Sequence, residues 1–481
     1  MTDSFDSVNP ARPGEVIGTY PRHTADDVDR CVQLAAEAQR AWAKVPAPAR
    51  ADLIAAAGAV IASRKDEIAN LVSREAGKIV VEAGGDVQEA VDMANFVAGQ
   101  GRSAWGDTVP SELRQKMAWT TRIPIGVVGM ITPWNFPIAI PSWKCFPALL
   151  AGNGIVMKPS EFAPACAEAF VACCVEAGIP AGVLQLVHGE AEPAAALATH
   201  FGVGAVSFTG SVPTGRKVAA AAMDSGPRVV SLELGGKNAM VVWRDADLDL
   251  AAEGALFGAF GTAGQRCTST SRLIVHPDVA EELVRRIAEG AARLQLGDPT
   301  LPDTDVGPVI TARAGARIVG MIGAALAEGA TVAHGGRLRD DIASCEGATF
   351  VEPTLLVGVH PDHVVAREEV FGPVLSVLEI GDLDEAIRVV NGVEYGLSAA
   401  VYTRDINTAL RAVEAIDAGI VYVNAPTIGA EIPLPFGGTK HTGNGFREAG
   451  TRGIEQFSQV KTVYVDYSGR LQKAQIDTHR D

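Results

Sequence analysis

Two periodicities divide the chain. Between residues 26 and 104 apolar side chains recur at helical intervals, first Val28, Val32, Leu34 and Ala35, then Leu53, Ile54, Ala57, Val60 and Ile61. That spacing predicts an Ala-rich set of helices. From Val127 the pattern changes to short apolar runs. VVGMI (Val127 to Ile131), GIVMKP (Gly154 to Pro159), GVLQLV (Gly182 to Val187), GAVSFT (Gly204 to Thr209) and VVSLEL (Val229 to Leu234) read as strands. Helical patterns fill the intervals at 137–151, 164–177, 191–200 and 214–223. Near-continuous apolar strands alternating with helices mean a parallel sheet covered on both faces. A second alternating series, from Ala239 to Asn424, predicts a second α/β lobe.

Residues 109–125 fit neither pattern. A polar stretch leads into MAWTTRI (Met117 to Ile123), which is β-prone with partial alternation, and KTVYVDY (Lys461 to Tyr467) near the C-terminus is β-rich again. Two excursions of this kind are expected to form a small sheet used for oligomerisation, because an exposed sheet edge is a hazard until something pairs with it. The alternative is that they only cover the core.

Composition narrows the class. The 481 residues exceed one ordinary domain. A formal charge of −16 argues against nucleic acid or an anionic membrane as partner. No apolar window is long enough and free enough of charges to span a bilayer. The polar, acidic N-terminus has no secretory or transit character, so a cytoplasmic location is expected. The seven cysteines form no CxxC pair and no zinc spacing with the histidines. Cys166, Cys173 and Cys174 fall in an Ala-rich helical stretch and are expected to be buried small hydrophobes.

The candidate chemistry lies in five short segments. GQRCTS (Gly264 to Ser269) sets Cys267 among polar residues, where nearby backbone N–H groups and Arg266 are expected to stabilise a thiolate. LELGGKN (Leu232 to Asn238) places Glu233 at the end of an apolar strand, where burial raises a carboxyl pKa toward the range of a general base. A thiol that adds to a carbonyl and a base that activates water are the two groups needed to oxidise an aldehyde. PWNFP (Pro133 to Pro137) fixes Asn135 between prolines, so its amide can donate to an oxyanion. FTGSVPTG (Phe208 to Gly215) turns a strand into a helix whose N-terminus suits pyrophosphate. KPSE (Lys158 to Glu161) ends another strand, and an acid there accepts ribose hydroxyls while repelling a 2′-phosphate. Each segment alone is weak: a strand–glycine–helix turn is as often plain turn chemistry, and a lone cysteine is usually inert.

Together with EEVFGPV (Glu368 to Val374), these segments occur in the order found in the aldehyde dehydrogenase superfamily, which the chain resembles over nearly its whole length. The resemblance implies that Cys267 is the nucleophile, Glu233 the base, and Asn135 with the Cys267 N–H the oxyanion hole. It implies a cofactor site built from Thr132, Pro133, Trp134, Lys158, Ser160, Glu161, Gly210, Ser211, Leu234, Gly235, Glu369 and Phe371. NAD is the expected cofactor and NADP the alternative. The fold implied is α/β: a Rossmann-like cofactor domain (1–108 and 126–234), an α/β catalytic domain (235–440) and a small β bridging element (109–125 and 441–481), assembled as a homodimer or homotetramer. One departure is that only a few residues precede Val8, where the family often has an extra strand.

For the substrate, TIGAE within Asn424 to Gly445 resembles the loop of aminoadipate-semialdehyde dehydrogenases. By that resemblance Gly429 and Ala430 offer N–H groups to a substrate carboxylate, Arg266 meets the same carboxylate, and Glu89 pairs with an α-amino group. A carboxylate- or amino-acid-bearing semialdehyde is therefore expected, against a broad-range aliphatic or aromatic aldehyde dehydrogenase. A coenzyme-A-acylating enzyme and a non-enzymatic structural protein are the remaining alternatives; by the resemblance Glu233 speaks against the first, and intact Cys267, Glu233 and Asn135 together speak against the second. No metal site is expected.

Overall fold

The helical run resolves into four helices, α1 (Ala25–Trp42), α2 (Ala47–Ser63), α3 (Lys65–Ala76) and α4 (Val80–Gly99). Thr24 starts α1 with a reciprocal capping box to Asp27. Gly77, at φ +73°, ends α3 in the left-handed region that a side chain resists. The computed structural model describes residues 3–103, 105–226 and 228–476, so the final five positions of the expected bridging element lie outside it. Ahead of α1, Ser4–Asn9 and Arg12–Pro21 form an antiparallel hairpin, so the short N-terminus still supplies two strands.

The five strands expected after Val127 form one parallel sheet, in the order Leu184–Leu186, Gly154–Pro159, Val127–Thr132, Val203–Thr209 and Val229–Glu233. Chain order reverses between Val127–Thr132 and Val203–Thr209. In an open α/β sheet, a crevice forms where neighbouring connections leave for opposite faces, beyond the carboxyl ends of those strands. PWNFP and FTGS leave those two ends. Every residue of Val127–Thr132 and Gly154–Pro159 is buried, as is all of the helix Ala139–Ala151. That helix packs against α2 and α4 and joins the first lobe into one core.

A seven-stranded sheet follows, in the order Thr331–His334, Thr354–Val357, Val374–Glu379, Arg272–Val275, Ala239–Val242, Ser398–Tyr402 and Ile420–Val423. Only the first of these runs antiparallel to its neighbour. The two β excursions do meet: Lys116–Pro124 pairs with Ser458–Asp466 through nine consecutive residue pairs, and Thr108–Val109 extends the far side. Asn444 reaches the edge of the first sheet, accepting from Leu232 N at 3.1 Å and donating to Val230 O at 2.7 Å. Cys166, Cys173 and Cys174 are fully buried, as their helical setting predicts.

Candidate active site

The two glycines of LELGGKN explain the site's first constraint. A Cβ on Gly235 would lie 2.1 Å from Glu369 Oε2, and one on Gly236 would lie 2.6 Å from the Cys267 carbonyl oxygen. The turn thus brings together the end of the strand bearing Glu233, the cysteine segment and the EEVFGPV segment, and it closes only without side chains. Asn238 secures it, its amide donating to the carbonyls of Cys267 at 2.8 Å and Ser269 at 2.9 Å.

Cys267 keeps part of its surface open, whereas five of the seven cysteines are buried. Burial, then the negative charges of Glu369, Glu233 and Glu448, push its thiol up to about 12, while its own backbone N–H pulls the other way. Arg266, expected from the sequence to help steady a thiolate, is engaged by other side chains. Its guanidinium is turned aside to Glu82, with Nη2 at 3.0 Å, and its Nε donates to Thr262 Oγ1 at 2.9 Å. Asn135 is buried and donates to Gln265 O at 3.0 Å, which aims its amide at the segment that carries Cys267. Its Nδ2 carries a second hydrogen available for an oxyanion.

Glu233 lies behind, with both carboxylate oxygens buried and without a hydrogen-bond partner among the described residues. Burial first, and then Glu448, hold its carboxyl well above the usual range, against the pull of Lys144 and Arg447. Gly437 must be glycine here, since a Cβ would meet Glu233 Oε1 at 2.5 Å. Lys144 and Glu448 form a buried ion pair, and Lys144 also donates to Ser207 Oγ at 2.8 Å. Sequence reasoning missed both residues. Lys144 lies inside an apolar helix and Glu448 in an irregular loop 304 residues away, and no local signal joins them.

The residues expected to hold the cofactor lie around the crevice. Thr132 Oγ1 is buried without a partner among the described residues, at the carboxyl end of its strand, a polar atom that suits a bound ligand. Lys158 Nζ stands 3.6 Å from Glu161, and Ser160 Oγ lies 3.4 Å from the same carboxylate. Gly210 donates to Glu233 O at 3.0 Å, and Ser211 sits at the head of the helix Val212–Asp224. Leu234 fixes that helix, because a Cβ on Gly215 would fall 2.4 Å from its Cδ2. Glu369 accepts from Gly236 N at 3.2 Å and is raised to about 7, chiefly by burial. Phe371, in left-handed backbone at φ +48°, presents its ring edge-on to Trp134 with centroids 6.0 Å apart. Pro133 precedes Trp134 in the same loop. These residues fit a dinucleotide: acids for ribose hydroxyls, a helix N-terminus for phosphate and an aromatic pair at the reactive end.

On the substrate side, Thr427 donates to Thr268 O at 2.7 Å and shares a 2.8 Å contact with Thr270 Oγ1. The TIGAE loop is thereby fastened to the segment that carries Cys267. Gly429 is exposed at φ +106°, and Ala430 packs on the core that Cys267 and Trp134 also border. Glu89 makes no side-chain hydrogen bond among the described residues and is raised to about 7, chiefly by burial and by Asp86. No group of three or more metal-ligating side chains occurs among the described residues.

Comparison with known proteins identifies the family. The model of the aldehyde dehydrogenase family matches residues 1–463. The chain is 38% identical over 459 residues to the alpha-ketoglutaric semialdehyde dehydrogenase of Bacillus subtilis, covering 95% of this chain and 93% of that one. It is 39% identical over 470 residues to the alpha-ketoglutarate semialdehyde dehydrogenase of Haloferax volcanii, covering 97% and 96%. The crystal structure of an NAD-dependent aldehyde dehydrogenase from Sinorhizobium meliloti matches with a TM-score of 0.94 at 37% identity, covering 98% of this chain and 93% of that one. The chain belongs to the aldehyde dehydrogenase family and is an oxidoreductase that acts on aldehydes.

Proposed function

We propose that the protein oxidises a carboxylate-bearing semialdehyde to the dicarboxylate, with NAD as the electron acceptor. The observation that carries this reading is an accessible cysteine backed by a buried, unpartnered glutamate, beside a loop that can offer N–H groups to a second carboxylate. Cys267 sulfur adds to the aldehyde carbon once its proton has passed to Glu233, and the oxyanion forms against Asn135 and the Cys267 N–H. A nicotinamide dinucleotide bound in the crevice supplies the acceptor for the hydride that leaves the aldehyde carbon. Glu233 passes that first proton to bulk solvent before it takes one from water. That water then attacks the thioester, releasing the carboxylate and restoring the thiol. Thr132, Lys158, Ser160 and Glu161 hold the adenosine half, and Glu369 with Phe371 the nicotinamide half. Glu161 sets the preference for NAD.

The curated relatives point to 2-oxoglutarate semialdehyde as the substrate. A second reading, an amino-acid semialdehyde, is favoured by Glu89, a carboxyl with no hydrogen-bonding partner of its own. Reduced-nicotinamide absorbance with 2-oxoglutarate semialdehyde, aminoadipate semialdehyde and propanal, each with NAD, NADP or coenzyme A, tests the whole. Equal kcat/KM for propanal and the acids would overturn the substrate assignment, and turnover that required coenzyme A would overturn the hydrolytic step.

The three-part domain division and a cytoplasmic homo-oligomer belong to the same proposal. No helix among the described residues is long and apolar enough to cross a membrane. The strand Ser458–Asp466 forms an edge of its sheet and exposes Val460 and Tyr464, a surface suited to a second copy of the chain.

A further inference from the structure

The nucleophile's segment begins with a backbone anomaly. Thr262 and Ala263 are consecutive non-glycine residues in the left-handed region, at φ +53° and +51°, and both are buried. Side chains crowd the backbone there, so such a pair persists only where its surroundings over-determine it. Cys267 follows four residues after this turn.

What holds the turn comes from a helix 180 residues earlier in the chain. Glu82, in the first turn of α4, accepts from Thr262 N with both oxygens at 2.9 Å and from Thr262 Oγ1 at 3.0 Å. It also accepts from Arg266 Nη2 at 3.0 Å, while Arg266 Nε donates back to Thr262 Oγ1 at 2.9 Å. A Cβ on Gly261 would stand 2.9 Å from Glu82 Oε1, so the carboxylate is seated tightly on the turn. The Glu82 side chain is 8% exposed and that of Arg266 13%, which leaves water little share in these bonds. Further along α4, one and two turns on, Asp86 pairs with Lys78 and Glu89 carries no hydrogen bond, so Glu82 is the acid of that face committed to the turn.

We propose that Glu82 is a positioning residue: across the boundary between the helical layer and the catalytic sheet, it locks the Thr262–Ala263 turn and the Arg266 side chain and thereby sets where Cys267 meets a carbonyl. The clamp acts on geometry, and misplacing a nucleophile by about 1 Å costs on the order of 100-fold in rate. This inference rests on Cys267 being the nucleophile, and it is indifferent to which aldehyde is bound.

Two readouts test it without the acidic substrate: the second-order rate at which iodoacetamide alkylates Cys267, mapped by peptide mass, and kcat for propanal with NAD. Glu82→Ala should lower both by about tenfold or more, with NAD affinity and circular dichroism unchanged. Glu82→Gln keeps an acceptor for Thr262 N and Arg266 and a donor to Thr262 Oγ1, and should stay within about threefold of the parent. Ala263→Gly removes a left-handed penalty without touching a hydrogen bond, and should recover several-fold of the loss in the Glu82→Ala background. Parent-like alkylation and kcat in Glu82→Ala would overturn the proposal, as would a Glu82→Gln loss equal to that of Glu82→Ala. Should Glu82→Ala not fold, Thr262→Val replaces it: a fall of about threefold in both rates supports the clamp, and no fall overturns it. Activity surviving Cys267→Ala would instead refute the assigned nucleophile and leave the alkylation result standing.

Discussion

The proposed base, Glu233, and the proposed nucleophile, Cys267, are held in opposite ways. Glu233 ends a regular strand whose backbone is bonded to a neighbour on one side and to Thr442 and Gly443 on the other. Its position follows from sheet geometry, and what is unusual is its solvation: two buried oxygens without a partner. Cys267 follows a strained turn that no sheet supports, with a partly open side chain and a neighbourhood pinned by Glu82, Asn238 and Thr427. A regular element gives a rigid address cheaply but buries what it carries. A bent loop can present an open thiol, and needs cross-links to hold it still.

Removing the open thiol is the most severe way to break this comparison. Cys267→Ala should lower turnover by at least about 1,000-fold, with NAD binding by fluorescence titration retained. Glu233→Gln should separate the two halves of the reaction: a rapid burst of reduced nicotinamide in stopped flow, then a steady-state rate down by about 100-fold or more. Asn135→Ala should cost about 100-fold in kcat/KM for every aldehyde tried, since the oxyanion is common to all.

A smaller effect sharpens the electrostatic side. Glu448 helps hold the Glu233 carboxyl above its usual range, so the base form of Glu233 grows as pH rises and activity should climb toward alkaline pH. Glu448→Gln removes a repelling charge, and the acidic limb of the kcat profile should move to lower pH. The smallest effect is on stability. A carboxyl raised in the folded state binds a proton that the unfolded chain gives up, so its contribution is fully present below the unfolded pKa and is lost as pH rises through the folded one. Glu233→Gln should therefore melt about 1–3 °C higher than the parent at pH 9, with the difference vanishing at low pH, as read by calorimetry.

Much of this was legible in the chain. Near-continuous apolar strands and helical intervals predicted the parallel sheet, because a strand buried on both faces has no polar side to alternate. The β-prone segments ending at Ile125 and Tyr467 predicted a pairing that the structure shows strand to strand. Motif order named Cys267, Glu233 and Asn135 as candidates, and the structure brings their segments into contact. Tertiary structure alone decided the partners of buried charges. Arg266 reads as a free cation beside a cysteine, yet Glu82, 184 residues earlier, takes it up. Lys144 and Glu448 meet only because a helix and a loop converge behind Glu233. Periodicity records which face of an element avoids water; it does not record which charge meets which, because that depends on distances set only when the lobes have packed.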